Sequence, residues 1–221
     1  LTVIDNNPNT TTTTATVTVE DNVAPVALTQ NVTVQLDASG AGSIVTSDIN
    51  NGSNDACGVD TVYLSNYSYD CSNVGANTVT LTVTDVNNNT STATATVTVE
   101  DNVAPVVVAQ GFTIELDSNG DASITTAQVE NGSNDACGID TIYLSQYNFD
   151  CGHIGNNDVV ITVIDVNGNT STDTVNIAVE DNIAPVITST PADISTTNLP
   201  GSCFQNTSFS IPTFTDACGF P

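Results

Sequence analysis

The sequence predicts an all-β chain of tandem Greek-key β-sandwich domains set end to end as a rod. Three observations lead there. The first is repetition. Residues 21–100 open Asp-Asn-Val-Ala-Pro-Val and close Val-Thr-Val-Glu, and residues 101–180 open with the same six residues and close Ile-Ala-Val-Glu. Laid over each other without a gap, the two blocks agree at about 45 of 80 positions. A fixed period of this size marks a string of like units. The second is a two-residue alternation of apolar side chains with Thr, the signature of half-buried antiparallel strands. The third is a cysteine pair that recurs with the repeat.

The elements follow in chain order. Residues 1–20 match residues 81–100, so they read as the C-terminal strands of a preceding repeat, and the chain reads as a window on a longer array. Repeat 21–100 begins with Pro25 behind the junction, which stiffens the way into a first strand near 26–36. Strands follow near 42–46 and 59–65. The segment 67–71 is short and apolar, and its status stays open. In residues 78–84, Val79, Leu81 and Val83 share one face, and residues 92–99 alternate Thr with Ala or Val. The turns Asp85-Val-Asn-Asn-Asn and Asp165-Val-Asn-Gly-Asn are rich in residues that tolerate positive φ, so each closes a hairpin. Repeat 101–180 keeps the inward set as Val159, Ile161 and Val163, then Val175, Ile177 and Val179. Residues 181–221 open with Asp-Asn-Ile-Ala-Pro-Val as the N-terminal part of a further repeat. No stretch has a helical period.

Composition limits the partners. There is no Lys or Arg against 25 Asp plus Glu, a formal charge of −25. That excludes nucleic-acid binding by phosphate neutralisation and docking on anionic lipid through a basic patch. It favours divalent cations. No apolar run approaches the ~20 residues that span a bilayer, so no membrane insertion is expected in this segment. Regular apolar spacing argues against disorder.

Cys57 and Cys71 recur as Cys137 and Cys151, and Cys203 and Cys218 follow at a similar spacing. An even count suggests a disulfide in each domain and an oxidising compartment. In the last block Cys218 occupies the Cys57 position, so the pairing of Cys203 and Cys218 stays open. An 80-residue sandwich buries only about 60% of its unfolded surface, so a staple matters. Closing the short loop between Cys57 and Cys71 contributes on the order of 3 kcal/mol. Tyr63, Tyr67 and Tyr69 recur as Tyr143, Tyr147 and Phe149. They read as core and bridge packing, with a platform for sugar rings as the alternative.

The junctions carry the candidate chemistry: Glu20-Asp21-Asn22, Glu100-Asp101-Asn102 and Glu180-Asp181-Asn182. Consecutive anionic and amide oxygens with no basic neighbour suit calcium, which takes six to eight oxygens. In a rod each domain is crossed an odd number of times. The 85–89 turn then lies at the end where the domain begins, and the loop with Asp55 lies there too if the second strand runs back. That gathers Asp55 and Asp85 with the first junction, Asp135 and Asp165 with the second, and Asp216 with the third. If segment 67–71 were a full crossing strand, Asp85 would move away. The competing reading is a set of solvated Asx turns. The loop Asp117-Ser-Asn-Gly-Asp resembles part of a calcium loop but lacks a distal Glu.

The stretches Asn-Asp-Ala-Cys-Gly, Val-Gly-Ala-Asn-Thr-Val-Thr-Leu-Thr-Val-Thr-Asp-Val-Asn-Asn-Asn and Val-Glu-Asp-Asn-Val-Ala-Pro-Val resemble hyalin-type (HYR) repeats. The last block adds Pro-Ala-Asp-Ile-Ser, Pro-Gly-Ser-Cys and Thr-Asp-Ala-Cys-Gly. This version is similar to the tandem repeats of giant surface proteins of Bacteroidetes-type bacteria, including gliding-motility adhesins. The resemblance covers essentially the whole chain. It implies immunoglobulin-like domains, secretion to the cell surface and an adhesive, stalk or filament role. It also suggests O-glycans at Asp-Ser/Thr-apolar sites, here Thr61, Thr141 and Thr174.

Three classes of function remain. The leading one is a non-catalytic stalk segment of a large secreted surface adhesin, its junctions stiffened by calcium, with neighbouring repeats as partners and lateral self-association through edge strands. The second is a module that itself binds surface polysaccharide or other cells. The third is a spacer in a secreted enzyme. Catalysis within the segment is not expected: the lone His153 has Asn73 at its sister position, and no lysine supplies another base.

Overall fold

The computed structural model describes residues 1–197, 200, 201, 203 and 207–219. Ser202 of the Pro-Gly-Ser-Cys stretch lies outside them. The chain forms two compact units, Leu1–Asp101 and Asn102–Pro221.

In the first unit, β1 (Thr2–Ile4) and β2 (Thr10–Thr12) form a short antiparallel hairpin. Its turn is held by Asp5, whose Oδ1 accepts the backbone N–H of Asn7 and Asn9. The sandwich proper consists of β3 (Val32–Gln35), β4 (Ala41–Ser43), α1 (Thr46–Ile49), β5 (Val59–Leu64), β6 (Ser68–Asp70), β7 (Gly75–Asp85) and β8 (Thr90–Glu100). One sheet has the order β3-β8-β7-β5, with β3 parallel to β8 and the other pairs antiparallel. The β4–β6 pair forms the second sheet, and single bridges from Val26 to Asn54 and from Thr29 to Asn50 extend the covering layer.

Alternation builds the core. Val79, Leu81 and Val83 of β7 and Val97 and Val99 of β8 are buried, while the intervening threonines are not. Val34, Leu36, Ile44, Ile49, Leu64, Tyr69 and Ala95 complete the buried apolar set of this unit. Each fully buried aliphatic side chain contributes about 1.5–3 kcal/mol.

The expected strand at 26–36 is a ladder only over Val32–Gln35. Before it, side chains take the place of backbone pairing: Thr29 Oγ1 donates to the Thr94 carbonyl at 2.8 Å, and Asn31 Oδ1 accepts from Thr96 N–H at 2.8 Å. No helical period is present, and the two α-helices among the described residues are single turns. α1 is one turn long, too short to show a period, and it exists to bury Ile49 while Asp48 accepts the Val45 N–H. Segment 67–71 is not a full crossing. β5 pairs with β7 along the lower half of the sheet, then the chain changes sheets into β6 and finishes the same crossing.

This crossing defines two ends. Val59 pairs with Asp85 at the leading end, where Asp21 begins the repeat, and Gly75 pairs with Val99 at the trailing end.

The second unit repeats the plan. Its strands are β9 (Phe112–Glu115), β10 (Asp121–Ser123), β11 (Ile139–Leu144), β12 (Asn148–Asp150), β13 (Gly155–Asp165) and β14 (Thr170–Glu180), with α2 (Thr126–Val129) after β10. The main sheet reads β11-β13-β14-β9. Its core joins Val159, Ile161, Val163, Val175, Ile177 and Val179 to Leu116, Ile124, Val129, Leu144 and Phe149. β15 (Val186–Ser189) and β16 (Thr213–Thr215) then pair antiparallel.

Candidate metal centre and disulfide framework

The hairpin turn at 85–89 is built on one carboxylate. Asp85 Oδ1 accepts the N–H of Asn87 and of Asn89, each at 2.8 Å, and Oδ2 accepts the Asn89 amide at 2.8 Å. Asn88 stands at φ 71°, as Gly168 does at φ 90° in the sister turn. Asp85 is itself buried. Burial pushes its carboxyl up, but the Asn89 amide and the loop N–H groups outweigh that and hold it below the ordinary value.

The Asn89 amide also donates to the Asp21 carbonyl at 3.1 Å, tying the hairpin to the start of the repeat. Asp21 Oδ1 accepts the Val23 N–H at 3.0 Å, and Asp21 Oδ2 is buried without a hydrogen bond. Asp55 closes an adjacent turn, its Oδ1 accepting from Cys57 N at 2.7 Å and Gly58 N at 3.2 Å. Ligand atoms of Asp21, Asp55 and Cys57 lie within 4.8 Å of one another. The Cys57 thiol is pushed up chiefly by the Asp21 carboxylate beside it, and further by burial and the charges of Asp55 and Asp85.

Asp21 and Asp55 thus meet at the leading end, with Cys57 as the third group, while Asp85 is tied to them through the Asn89 amide. Glu20 and Asn22 are exposed. Cys57 was not expected among the metal-facing groups. In the second repeat the Asp135 turn keeps its geometry, with Oδ1 accepting from Cys137 N at 2.8 Å, and Asp165 repeats the Asp85 turn. Asp101 is buried. Asp181 Oδ1 accepts from Ile183 N, and Asp216 Oδ1 accepts from Cys218 N at 2.9 Å. Among the described residues of the last block, no trio of ligands comes within the same distance.

The glutamates take up the trailing ends. Glu100 Oε2 accepts from the Gln35 amide at 2.6 Å. Glu180 sits beside Glu115 in the parallel register of β14 and β9, and the Asn182 amide donates to both, at 3.3 and 3.1 Å. Glu115 escaped the sequence reading because its sister residue is Gln35; only the parallel pairing puts it beside Glu180. Asn102 has partners of its own.

The disulfides differ from the sequence expectation. Cys151 bonds Cys218, 67 residues away, with Cα atoms 5.0 Å apart. Cys71 and Cys137 are also oxidised, and Cys57 and Cys203 are free thiols. A bridge from Cys57 to Cys71, or from Cys137 to Cys151, cannot form. Cys57 lies at the leading end before β5, and Cys71 at the trailing end before β7. The ten residues between Gly75 and Asp85 span about 34 Å of strand, whereas a disulfide needs Cα atoms within about 7 Å.

The Asp117 loop serves this framework. Asp117 Oδ1 accepts from Asn119 and Asp121 N–H, which brings Gly120 against the bond. A Cβ at Gly120 would stand 2.6 Å from Cys151 Sγ, and its φ is +82°. Cys71 makes the equivalent contact, its Sγ 3.9 Å from the Gly40 carbonyl.

The aromatic set divides. Tyr69 and Phe149 are core. The Tyr67 and Tyr147 hydroxyls accept from Leu64 and Leu144 N–H. Tyr63 and Tyr143 are about half exposed, at 51% and 45%. Thr61, Thr141 and Thr174 are exposed.

No family model matches the chain, and no curated protein matches it. Solved structures show a likeness. One is the extracellular domain of Protocadherin GammaB4, at 17% identity and TM-score 0.38 over 77% of this chain and 34% of that one. Human Protocadherin-24 EC1-2 aligns at 14% identity and TM-score 0.40 over 73% of this chain and 100% of that one. An endo-fucoidan hydrolase of glycoside hydrolase family 107 aligns at 16% identity and TM-score 0.25, over 56% of this chain and 22% of that one. The chain spans about a third of the GammaB4 structure.

Proposed function

We propose that the chain is a non-catalytic stalk segment of a large secreted surface adhesin, and that calcium bound at the leading end of each repeat stiffens the array. The repeats divide at Asp21, Asp101 and Asp181, as the sequence period places them. The observation that carries the calcium reading is the buried Asp21 Oδ2, which lacks a hydrogen bond, on a residue whose carboxylate comes within 4.8 Å of that of Asp55. A buried carboxylate oxygen without a donor is costly unless a cation meets it. With no Lys or Arg in 221 residues, the chain has no side-chain cation to offer beyond His153. Calcium uses carboxylate and carbonyl oxygens and completes its shell with water, so two or three protein oxygens are a workable start.

The disulfides support an oxidising, extracellular setting. The HYR-like signatures support the surface-adhesin assignment. Partners are neighbouring repeats, with lateral association through edge strands opposed by the dense negative charge. A second reading, a glycan-binding module, is favoured by the half-exposed Tyr63 and Tyr143 recurring on β5 and β11.

The test is small-angle scattering and thermal melting of the chain in calcium and then in chelator. A longer, stiffer particle with a higher Tm in calcium is expected. Identical curves in both would sink the metal assignment.

A further inference from the structure

We propose that Cys57 is one half of a disulfide that joins its repeat to the repeat before it, the other half being a cysteine of the Cys151 type on that neighbouring copy. This goes beyond the calcium reading and requires no metal.

Three cysteines share one setting. Cys57, Cys137 and Cys218 each follow Asp-Ala and precede Gly. In each, the Asp two residues back accepts the cysteine's own N–H, at 2.7, 2.8 and 2.9 Å. Two of the three are oxidised, and the third is an exposed free thiol. Where the partner is seen, it is Cys151, the trailing-end cysteine of the repeat before Cys218. Cys57 cannot use its own trailing cysteine: Cys71 is already bonded and lies at the far end of the sandwich. Residues 1–20 repeat residues 81–100 and so read as the closing strands of the copy that would supply the partner.

The alternation has a mechanical meaning. Leading and trailing cysteines stand at opposite ends of each sandwich, so they can only meet across a repeat boundary. A Cys57 bond of this kind sets a covalent clasp beside the peptide linker at Asp21, as the Cys151–Cys218 bond does at Asp181. Formation takes two thiols and an oxidant, a small or protein disulfide. The oxidant's S–S bond breaks and accepts two electrons and two protons as two thiols, while the new S–S bond forms between Cys57 and its partner. Once Cys57 is oxidised, its thiol no longer occupies Asp21, and the leading end presents carboxylates alone.

The test uses the full-length polypeptide from its own cells. Free thiols are blocked with iodoacetamide before extraction, the protein is cleaved after Glu and Asp without reduction, and linked peptides are read by mass spectrometry. Residues 56–60 should appear only as a cross-link to a cysteine peptide of an upstream repeat. Blocking of Cys57 before reduction, or its linkage to Cys71 or Cys203, overturns the proposal. Cys57→Ser should in addition release one new blockable thiol upstream while the Cys151–Cys218 link persists as a control of folding. If that link persists and no new thiol appears, the proposal also fails.

Discussion

Asp21 governs two properties at once, through the thiol beside it and the buried oxygen it leaves without a donor. Because its carboxylate raises the Cys57 thiol, the thiolate fraction near pH 8 is smaller than for an ordinary cysteine, and alkylation is correspondingly slow. Asp21→Asn should remove the charge and speed iodoacetamide labelling of Cys57 several-fold at constant pH. An unchanged rate would show that Asp21 does not control the thiol. Gly120 offers a second residue-scale prediction. Ala at this position places a Cβ 2.6 Å from Cys151 Sγ at positive φ, a conformation that costs about 1–2 kcal/mol for an L residue. Gly120→Ala should therefore lower Tm and leave more of Cys218 open to thiol reagents. Gly52→Ala, where the added Cβ meets nothing within 4 Å, carries the backbone strain alone and should spare the disulfide.

At the scale of elements, the hairpins depend on their aspartates. The lowered carboxyls include Asp85, where burial opposes the shift and the Asn89 contacts win, and Asp117, lowered chiefly by the Asp121 N–H. A group whose folded pKa lies below its unfolded one stabilises the fold fully above the unfolded value, here near 3.8. That stability is lost as pH falls through the lower folded value. Melting temperature should hold from neutrality to about pH 5 and drop below about pH 4. A fall beginning near pH 6 would point to groups other than these. Ile161, fully buried at the centre of β13, tests the core: Ile161→Ala should cost about 2–5 kcal/mol in denaturant unfolding. The alternation of β7, β8, β13 and β14 was readable in the sequence because each strand is long and buries one face. β3 was read too long, because hydrogen bonds from Thr29 and Asn31 replace its ladder and leave the apolar pattern intact. α1 and α2 were missed because one turn leaves no period to detect.

At the scale of the molecule, the disulfide framework decides how the second unit responds to reduction. The Cys151–Cys218 bond closes 67 residues, a loop for which the chain-entropy estimate is on the order of 4 kcal/mol. Reductant should lower Tm; equal Tm values in both states would mean that the disulfides carry no stability. Trypsin should leave the chain intact even after unfolding, since it contains no Lys or Arg.

The strands of the main sheet and the hairpin turns are legible in the amino-acid order alone, and so is the 80-residue period. Each of these follows from local periodicity, composition or turn chemistry. Odd crossing of each domain predicts Asp21, Asp55 and Asp85 at one end; ligand atoms of Asp21 and Asp55 lie close to one another and to Cys57, while Asp85 holds its own turn. Only the tertiary structure decided which sulfur meets which. A spacing of fourteen residues looks like a local bridge, but a strand change between β5 and β6 carries the chain from one end of the sandwich to the other. Fourteen residues of sequence thereby become about 34 Å of strand, far beyond the roughly 7 Å that a disulfide within the repeat would allow. The same geometry brought Glu115 beside Glu180 and Gly120 against Cys151, contacts set by parallel pairing and loop packing that no local pattern encodes.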